Sequence, residues 1–155
     1  MCSSDLTLTT GGRTDDTNLT VRVSLTSTGA VAGDTIQLYN STTALGTAYT
    51  LLAADITNGF ADVATGTLTN GTTYTINAKV IDIAGNASTA SSNFTTTVDT
   101  VAPSAPSITS VTDDVGSITG ALTTGGRTDD TNLTVRVSLT STGAVAGDKI
   151  GRAHV

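Results

Sequence analysis

Residues Leu68 to Ser88 read LTNGTTYTINAKVIDIAGNAS. Tyr74, Ile76, Ala78, Val80 and Asp82 share one parity, and Thr75, Asn77 and Lys79 share the other. Side chains of a β-strand alternate between two faces, so this spacing predicts a strand over Thr73 to Ile83 with one face turned to a core. The Asp82-Ile83-Ala84-Gly85-Asn86-Ala87-Ser88 run then reads as a hairpin turn into a last strand at Asn93 to Val98.

The same alternation extends outward. Leu19, Val21, Val23 and Leu25 alternate with Thr20, Arg22, Ser24 and Thr26, and Ile36, Leu38 and Leu45 continue the pattern. Tyr49 to Leu52 and Phe60 to Val63 form shorter strand candidates, separated by Asp55-Ile56-Thr57-Asn58-Gly59, which reads as a turn. Composition agrees with these readings. The 155 residues include 35 Thr and 13 Asp but no Glu, which removes good helix formers and supplies β-branched and turn-forming residues. A net charge of -6, 13% charged residues and no apolar run near ~20 residues argue against a nucleic-acid surface, a coiled coil and a membrane-inserted helix. The expectation is an all-β protein.

An internal repeat organises the chain. Leu8 to Asp34 recurs unchanged as Leu122 to Asp148, 27 identities at an offset of 114 residues. That period exceeds solenoid repeats of roughly 20 to 50 residues and suits a whole β-sandwich of about 100 residues, so tandem domains are expected. Both ends depart from the pattern. Ile150 to Val155 can be encoded by a nucleotide string whose reverse complement reads Asp, Val or a start Met, Cys, Ser, Ser, Asp, matching Met1 to Asp5. The string resembles a short-read sequencing adapter, so residues 1–6 and 149–155 are expected to be adapter-derived and are set aside from fold reasoning. They hold the sole Cys and the sole His, Cys2 and His154. Residues 7–148 carry 12 Asp against Lys79 and four Arg, a net charge of -7.

Both prolines fall in Asp99-Thr100-Val101-Ala102-Pro103-Ser104-Ala105-Pro106, and proline lacks a ladder donor and stiffens φ. Residues 100–106 are therefore expected to be an interdomain linker. Residues 7–99 are expected to form a domain lacking its first strand, and 107–148 the opening part of the next repeat, with strands at Ser107 to Thr112 and Ile118 to Leu122. The repeat is thus expected to be cut out of phase, which leaves an exposed strand edge and an uncovered core face.

Leu68, Gly71 and Tyr74 form an L-x-x-G-x-x-Y arrangement that resembles the tyrosine corner of Greek-key sandwiches, with Gly71 allowing the tight corner and the Tyr74 hydroxyl bonding backbone upstream. Together with YTINAKVIDIAGNAS, TTTVDTVAPSAP, TDDVGSITGAL and GGRTDDTNLTVRVSL, it makes the chain resemble bacterial immunoglobulin-like (Big) tandem repeats of large surface adhesins and biofilm-associated proteins. The resemblance covers nearly all of residues 7–148. It implies an immunoglobulin-like Greek-key β-sandwich, type I secretion, an extracellular location on the bacterial cell surface, and a stalk role in adhesion or biofilm formation. Its implied partners are neighbouring repeats of the same chain and a host or matrix ligand for the parent protein. Paired Cys and core Trp of antibody domains are lacking, so Val, Ile, Leu and the aromatics Tyr39, Tyr49, Phe60, Tyr74 and Phe94 are expected to close the core.

The concentrated acids are Asp15, Asp16, Asp99, Asp113, Asp114, Asp129 and Asp130. Hard carboxylate oxygens suit Ca²⁺, which takes roughly six to eight oxygen ligands, and the resemblance implies calcium at domain junctions. Asp15 and Asp16 are expected at the same pole as Asp99, with Asp113 or Asp114 added by the following repeat; a cation there would relieve carboxylate repulsion. The competing reading is that these Asp side chains bond nearby backbone amides in turns. No enzyme activity is expected, because carboxylate pairs that hydrolyse glycosides need an aromatic-lined cleft and the chain has five aromatics and no Trp. A structural spacer is the leading function, and a module binding glycan or a host protein through pole loops is the alternative.

Overall fold

The computed structural model describes residues 8–148. The two segments read as adapter-derived, with Cys2 and His154, lie outside the described residues. The chain divides into two compact units, through Val101 and from Ala102. Both are built from strands.

The first unit contains β1 (Gly12–Thr14), β2 (Thr20–Ser24), β3 (Thr35–Asn40), β4 (Thr43–Thr50), a short helix α1 (Ala53–Asn58), β5 (Phe60–Ala64), β6 (Thr73–Ile81) and β7 (Phe94–Val98). Five strands form one sheet in the order β1-β7-β6-β3-β4, and β2 with β5 forms a second. All pairings are antiparallel except β1 with β7, which is parallel. Their facing side chains make the core. Ile36 and Leu38 of β3 and Ala78 of β6 pack with Ala61 and Val63 of β5, joined by Leu25 and Leu51. Ile36 and Leu38 have 0% of their surface exposed, because alternation aims both at the opposing sheet. A second cluster joins Leu19, Leu68, Tyr74, Ile76 and Val98. The result is an all-β, sandwich-like unit.

Most expected strands are present with shifted limits, but Tyr49 to Leu52 is not a strand of its own: Tyr49 and Thr50 end β4, and Leu51-Leu52 lead into α1. Ile36 and Leu38 lie on β3 while Leu45 lies on β4, and the chain reverses between them at Ser41-Thr42, with Ser41 at φ 55. That hairpin lacks the Asn-Gly or Asp-Gly signal such turns favour, so alternation alone ran the two strands together. Asp55 to Asn58 is the greater part of the helix α1, and Gly59 its C-cap, rather than a free turn. Asp55 accepts a bond from the Leu52 amide at 2.8 Å, and Gly59 stops the helix at φ 78 with its amide on the Asp55 carbonyl. β6 ends at Ile81 because Asp82 opens the turn, its carboxylate accepting the Asn86 amide at 2.8 Å. After that turn, Ser88 and Ser91 hydroxyls take the Val80 and Ala78 amides at 3.1 and 3.0 Å, in place of carbonyl partners. Regular pairing resumes only at Phe94.

Of the five aromatics expected in the core, only Tyr74 is buried; Tyr39, Tyr49, Phe60 and Phe94 are half-exposed. Phe60 shares its parity with Asp62 on the outer face of β5, where the Arg22 guanidinium lies 4.0 Å from its ring centre and pairs with Asp62 at 2.8 Å. Lys79 stands over Tyr39 in the same manner. The core is therefore mainly aliphatic, with Tyr74 inside the second cluster and Tyr49 packed against the first.

The second unit contains β8 (Ser107–Asp113), β9 (Gly120–Ala121) and β10 (Thr134–Ser138), in an antiparallel sheet ordered β10-β8-β9. β10 is the copy of β2 displaced by the repeat.

Gly46 shows how closely the edge of the large sheet approaches β5. A Cβ added there would lie 2.8 Å from the carbonyl oxygens of both Ala64 and Thr65, at a φ of 67. Backbone cannot yield as a side chain can, and positive φ adds strain for any other residue. Gly46→Ala is expected to destabilise the unit by about 2–4 kcal/mol, read as a lowered urea midpoint with unchanged slope.

Candidate functional site: the loop acids and the Leu68–Tyr74 corner

The Leu68–Tyr74 segment carries the chain from one sheet to the other. Leu68 and Tyr74 are buried, and the Tyr74 hydroxyl accepts a hydrogen bond from the Thr69 amide at 2.8 Å. Gly71 has φ 75, and its amide bonds the Val98 carbonyl at 2.7 Å. Nothing lies within 4 Å of a Cβ at Gly71, so conformation rather than space calls for glycine. The Leu68 amide reaches the Thr17 carbonyl at 2.7 Å and the Val98 amide reaches Thr72 at 3.0 Å. These bonds tie the crossing to the loop ahead of β2 and to the end of β7.

In the first unit, the Asp99 amide bonds the Thr14 carbonyl at 2.8 Å, which places Asp99 beside the start of the Asp15-Asp16 loop. Asp99 is answered by a cation of its own, since Arg13 bonds its carboxylate at 2.8 Å. Sequence reasoning missed Arg13. The available signal was its place one residue before Thr14 on the strand that leads into the acids. Asp16 accepts the Asn18 amide at 2.8 Å and its own amide bonds the Thr14 hydroxyl at 3.1 Å, a self-satisfied turn; Asp15 and Asp16 are both exposed.

The second unit gathers its acids differently. Asp113 is 1% exposed at the end of β8, where its carboxylate accepts the Val115 amide at 3.1 Å and the Thr128 hydroxyl at 2.6 Å. That hydroxyl accepts the Asp130 amide at 3.0 Å, so Thr128 links the two acids. Asp130 is 8% exposed; one of its oxygens accepts the Asn132 amide at 2.7 Å, and the other, Oδ2, is buried with no hydrogen-bond partner. The Asp129 carboxylate lies against Gly116, where a Cβ would collide with it. Asp113, Asp129 and Asp130 are thus drawn around the turn after β8, with Asp113 and Asp130 buried and Asp129, like Asp114, exposed.

No group of three or more His, Cys, Asp or Glu close enough to hold a metal ion is present among the described residues. Among the described residues, the orphaned Oδ2 of Asp130 is the feature that fits a cation, since a buried carboxylate oxygen without a donor carries an uncompensated desolvation cost. In the first unit the Arg13 guanidinium already answers Asp99, and the turn amide answers Asp16.

Two carboxylates elsewhere are held below their ordinary acidity range. Asp62 is lowered chiefly by its hydrogen bonds from Arg22, and Asp82 by the bonds it accepts from the Asn86 side chain and amide. Both are fastening pairs on the surface, one across β2 and β5 and one across a turn. A shallow recess beside β4 is lined by Gly46, Thr47, Ala48, Tyr49, Val63 and Gly66. Tyr49 donates its hydroxyl to Asp55 at 3.0 Å, which raises the phenol above its usual range. Compared with protein-family models, curated proteins and solved structures, the chain matches none of them.

Tyr74→Phe keeps the ring and removes the bond to the Thr69 amide. A loss of about 1 kcal/mol is expected in equilibrium urea unfolding, with near-native circular dichroism. A variant as stable as the parent would show that the corner rests on Leu68 and the Tyr74 ring alone.

Proposed function

We propose that the chain is a structural spacer: tandem immunoglobulin-like Greek-key sandwich repeats of a large, secreted bacterial cell-surface adhesin, whose role is to project a binding domain away from the cell. The observation that carries this reading is the unchanged 27-residue segment that supplies β1 and β2 in one unit and β10 in the next. Identical copies serve length, which needs only that each repeat fold and join its neighbours, whereas ligand loops must differ to recognise different surfaces. The β1-β7-β6-β3-β4 sheet facing β2 and β5, with a tyrosine bonded back across the sheet-to-sheet crossing, supports an immunoglobulin-like arrangement. Both proline residues lie at the start of the second unit, where a stiff joint would keep successive repeats extended.

Calcium belongs to this proposal at the turn after β8. Asp130, with Asp113 linked to it through Thr128, would hold it, with backbone carbonyls and water completing a hard-oxygen set. Bound there, the ion would supply the partner that Asp130 Oδ2 lacks and would clamp the turn after β8 to the repeated loop.

Proteins of one, two and three repeats, rebuilt on the 114-residue period, test the spacer by small-angle X-ray scattering. The maximum dimension is expected to grow by a constant step of at least about 30 Å per repeat, the length of the nine-residue β6 at about 3.3 Å per residue. A dimension that saturates as repeats are added would overturn the stalk.

The metal is tested separately on the chain itself. Extracellular calcium modules bind at roughly 10⁻⁴ to 10⁻³ M, so 10 mM Ca²⁺ should raise the melting temperature by several degrees. Asp130→Asn should remove that rise without lowering stability in chelator, because the amide no longer buries an unpaired charge. Equal melting with and without Ca²⁺ would take calcium out of the proposal and leave the spacer standing.

A further inference from the structure

One strand sequence, TVRVS, occurs twice in the chain, as β2 (Thr20–Ser24) and as β10 (Thr134–Ser138), and the two copies use opposite edges. In an antiparallel pair, successive residues point their N–H and C=O groups to alternate edges. In the first unit the Leu25 amide bonds the Gly59 carbonyl at 2.9 Å and the Leu19 carbonyl accepts the Thr65 amide at 2.9 Å, so the odd-numbered residues of this stretch face β5. Thr20, Arg22 and Ser24 therefore turn their backbone groups to the other edge. No strand pairs with that edge among the described residues.

In the second unit the Leu122 amide bonds the Val111 carbonyl at 2.8 Å, which assigns Val111 to β9 and leaves Ser110 and Thr112 facing β10. Their partners there are Arg136 and Thr134, the copies of Arg22 and Thr20. The Thr109 hydroxyl also reaches the Arg136 carbonyl at 3.2 Å, from the same side. β8 thus occupies, on β10, the edge that β2 leaves open.

We propose that β2 accepts β8 from a second copy of this chain, antiparallel and in the register already seen with β10: Thr20 opposite Thr112, Val21 opposite Val111 and Arg22 opposite Ser110. Each copy then carries one acceptor edge and one donor strand. The exchange breaks one β8–β10 pairing and makes one β8–β2 pairing with an identical acceptor sequence, so the ladder bonds nearly cancel. The balance is set by side chains. β2 lies on a packed core, with Val21 and Val23 against it. On β10's sheet, Ile108 is 68% exposed and Val135 is 48% exposed. Opposite residues on paired strands share a face, so Val111 and Ile108 would lie on the core side with Val21 and Val23. Two-way exchange closes as a dimer, and one-way exchange continues as a linear array.

The full chain is tested in a Cys2→Ser background. Light scattering on a sizing column is expected to show mass rising with concentration in whole multiples of 15.4 kDa. Val21→Cys with Val111→Cys places two thiols at a non-hydrogen-bonded pair, about 4.5 Å between Cα atoms and within disulfide reach. Oxidation should therefore give covalent multimers on a non-reducing gel. Thr20→Pro removes one donor from the open edge and leaves the β5 bonds untouched, so it should return the chain to monomer with unchanged circular dichroism. Thr134→Pro frees β8 from β10 and should increase assembly. A monomer at all concentrations, a disulfide formed only within one chain, or a Thr20→Pro variant that assembles as the parent does would each overturn the proposal.

Discussion

Two strands cover five in the first unit, and the rest of that unit depends on how they do it. β2 and β5 present Val21, Val23, Ala61 and Val63 to Ile36, Leu38 and Ala78 of the larger sheet. With its aromatics held mostly at the rim, the unit buries aliphatic side chains, and small ones on β5 in particular. Ala61 lets the sheets close tightly, and Gly46 lets the β4 backbone come against that of Ala64 and Thr65. The outer faces are then fastened by pairs that bring charge to water, Arg22 with Asp62 over Phe60 and Lys79 over Tyr39. Such exposed pairs add little stability at neutral pH and less in salt. They do keep the aromatic rings from presenting bare apolar surface.

The corner at Leu68–Tyr74 resolves a different constraint. A chain that leaves one sheet for the other must satisfy backbone groups that have no strand partner. Here Leu68, Gly71 and Val98 amides find the Thr17, Val98 and Thr72 carbonyls, and the Tyr74 hydroxyl takes the Thr69 amide. The tyrosine is therefore a core side chain at one end and a backbone partner at the other.

Strand positions were legible wherever period-2 alternation stood alone, as at Leu19 to Leu25 and Tyr74 to Val80. The reading failed where a local bond overrode the pattern. Asp55 turned an apparent turn into the start of a helix by taking the Leu52 amide. Ser88 and Ser91 delayed the last strand by bonding β6 through their hydroxyls. The burial of Asp113 and Asp130 was not legible, because it depends on Thr128 joining residues that lie on different turns. The Arg13–Asp99 pair was hidden for a similar reason, since it needs the parallel β1–β7 pairing, which no spacing announces.

The exact repeat separates what a sequence determines locally from what its surroundings decide. Asn18 and Asn132 amides bond Asp16 and Asp130 alike, at 2.8 and 2.7 Å, and Val31 and Val145 amides bond Asp34 and Asp148 alike, at 2.9 Å. Ser27 and Ser141 adopt the same left-handed backbone, at φ 60 and 63. Turns and side-chain caps are thus properties of these 27 residues themselves. Burial is not: Leu25 is 7% exposed and its copy Leu139 is 51% exposed, while Asp16 is open and its copy Asp130 is covered. The difference follows from the neighbours each copy meets, β5 and the large sheet for one and β8 for the other.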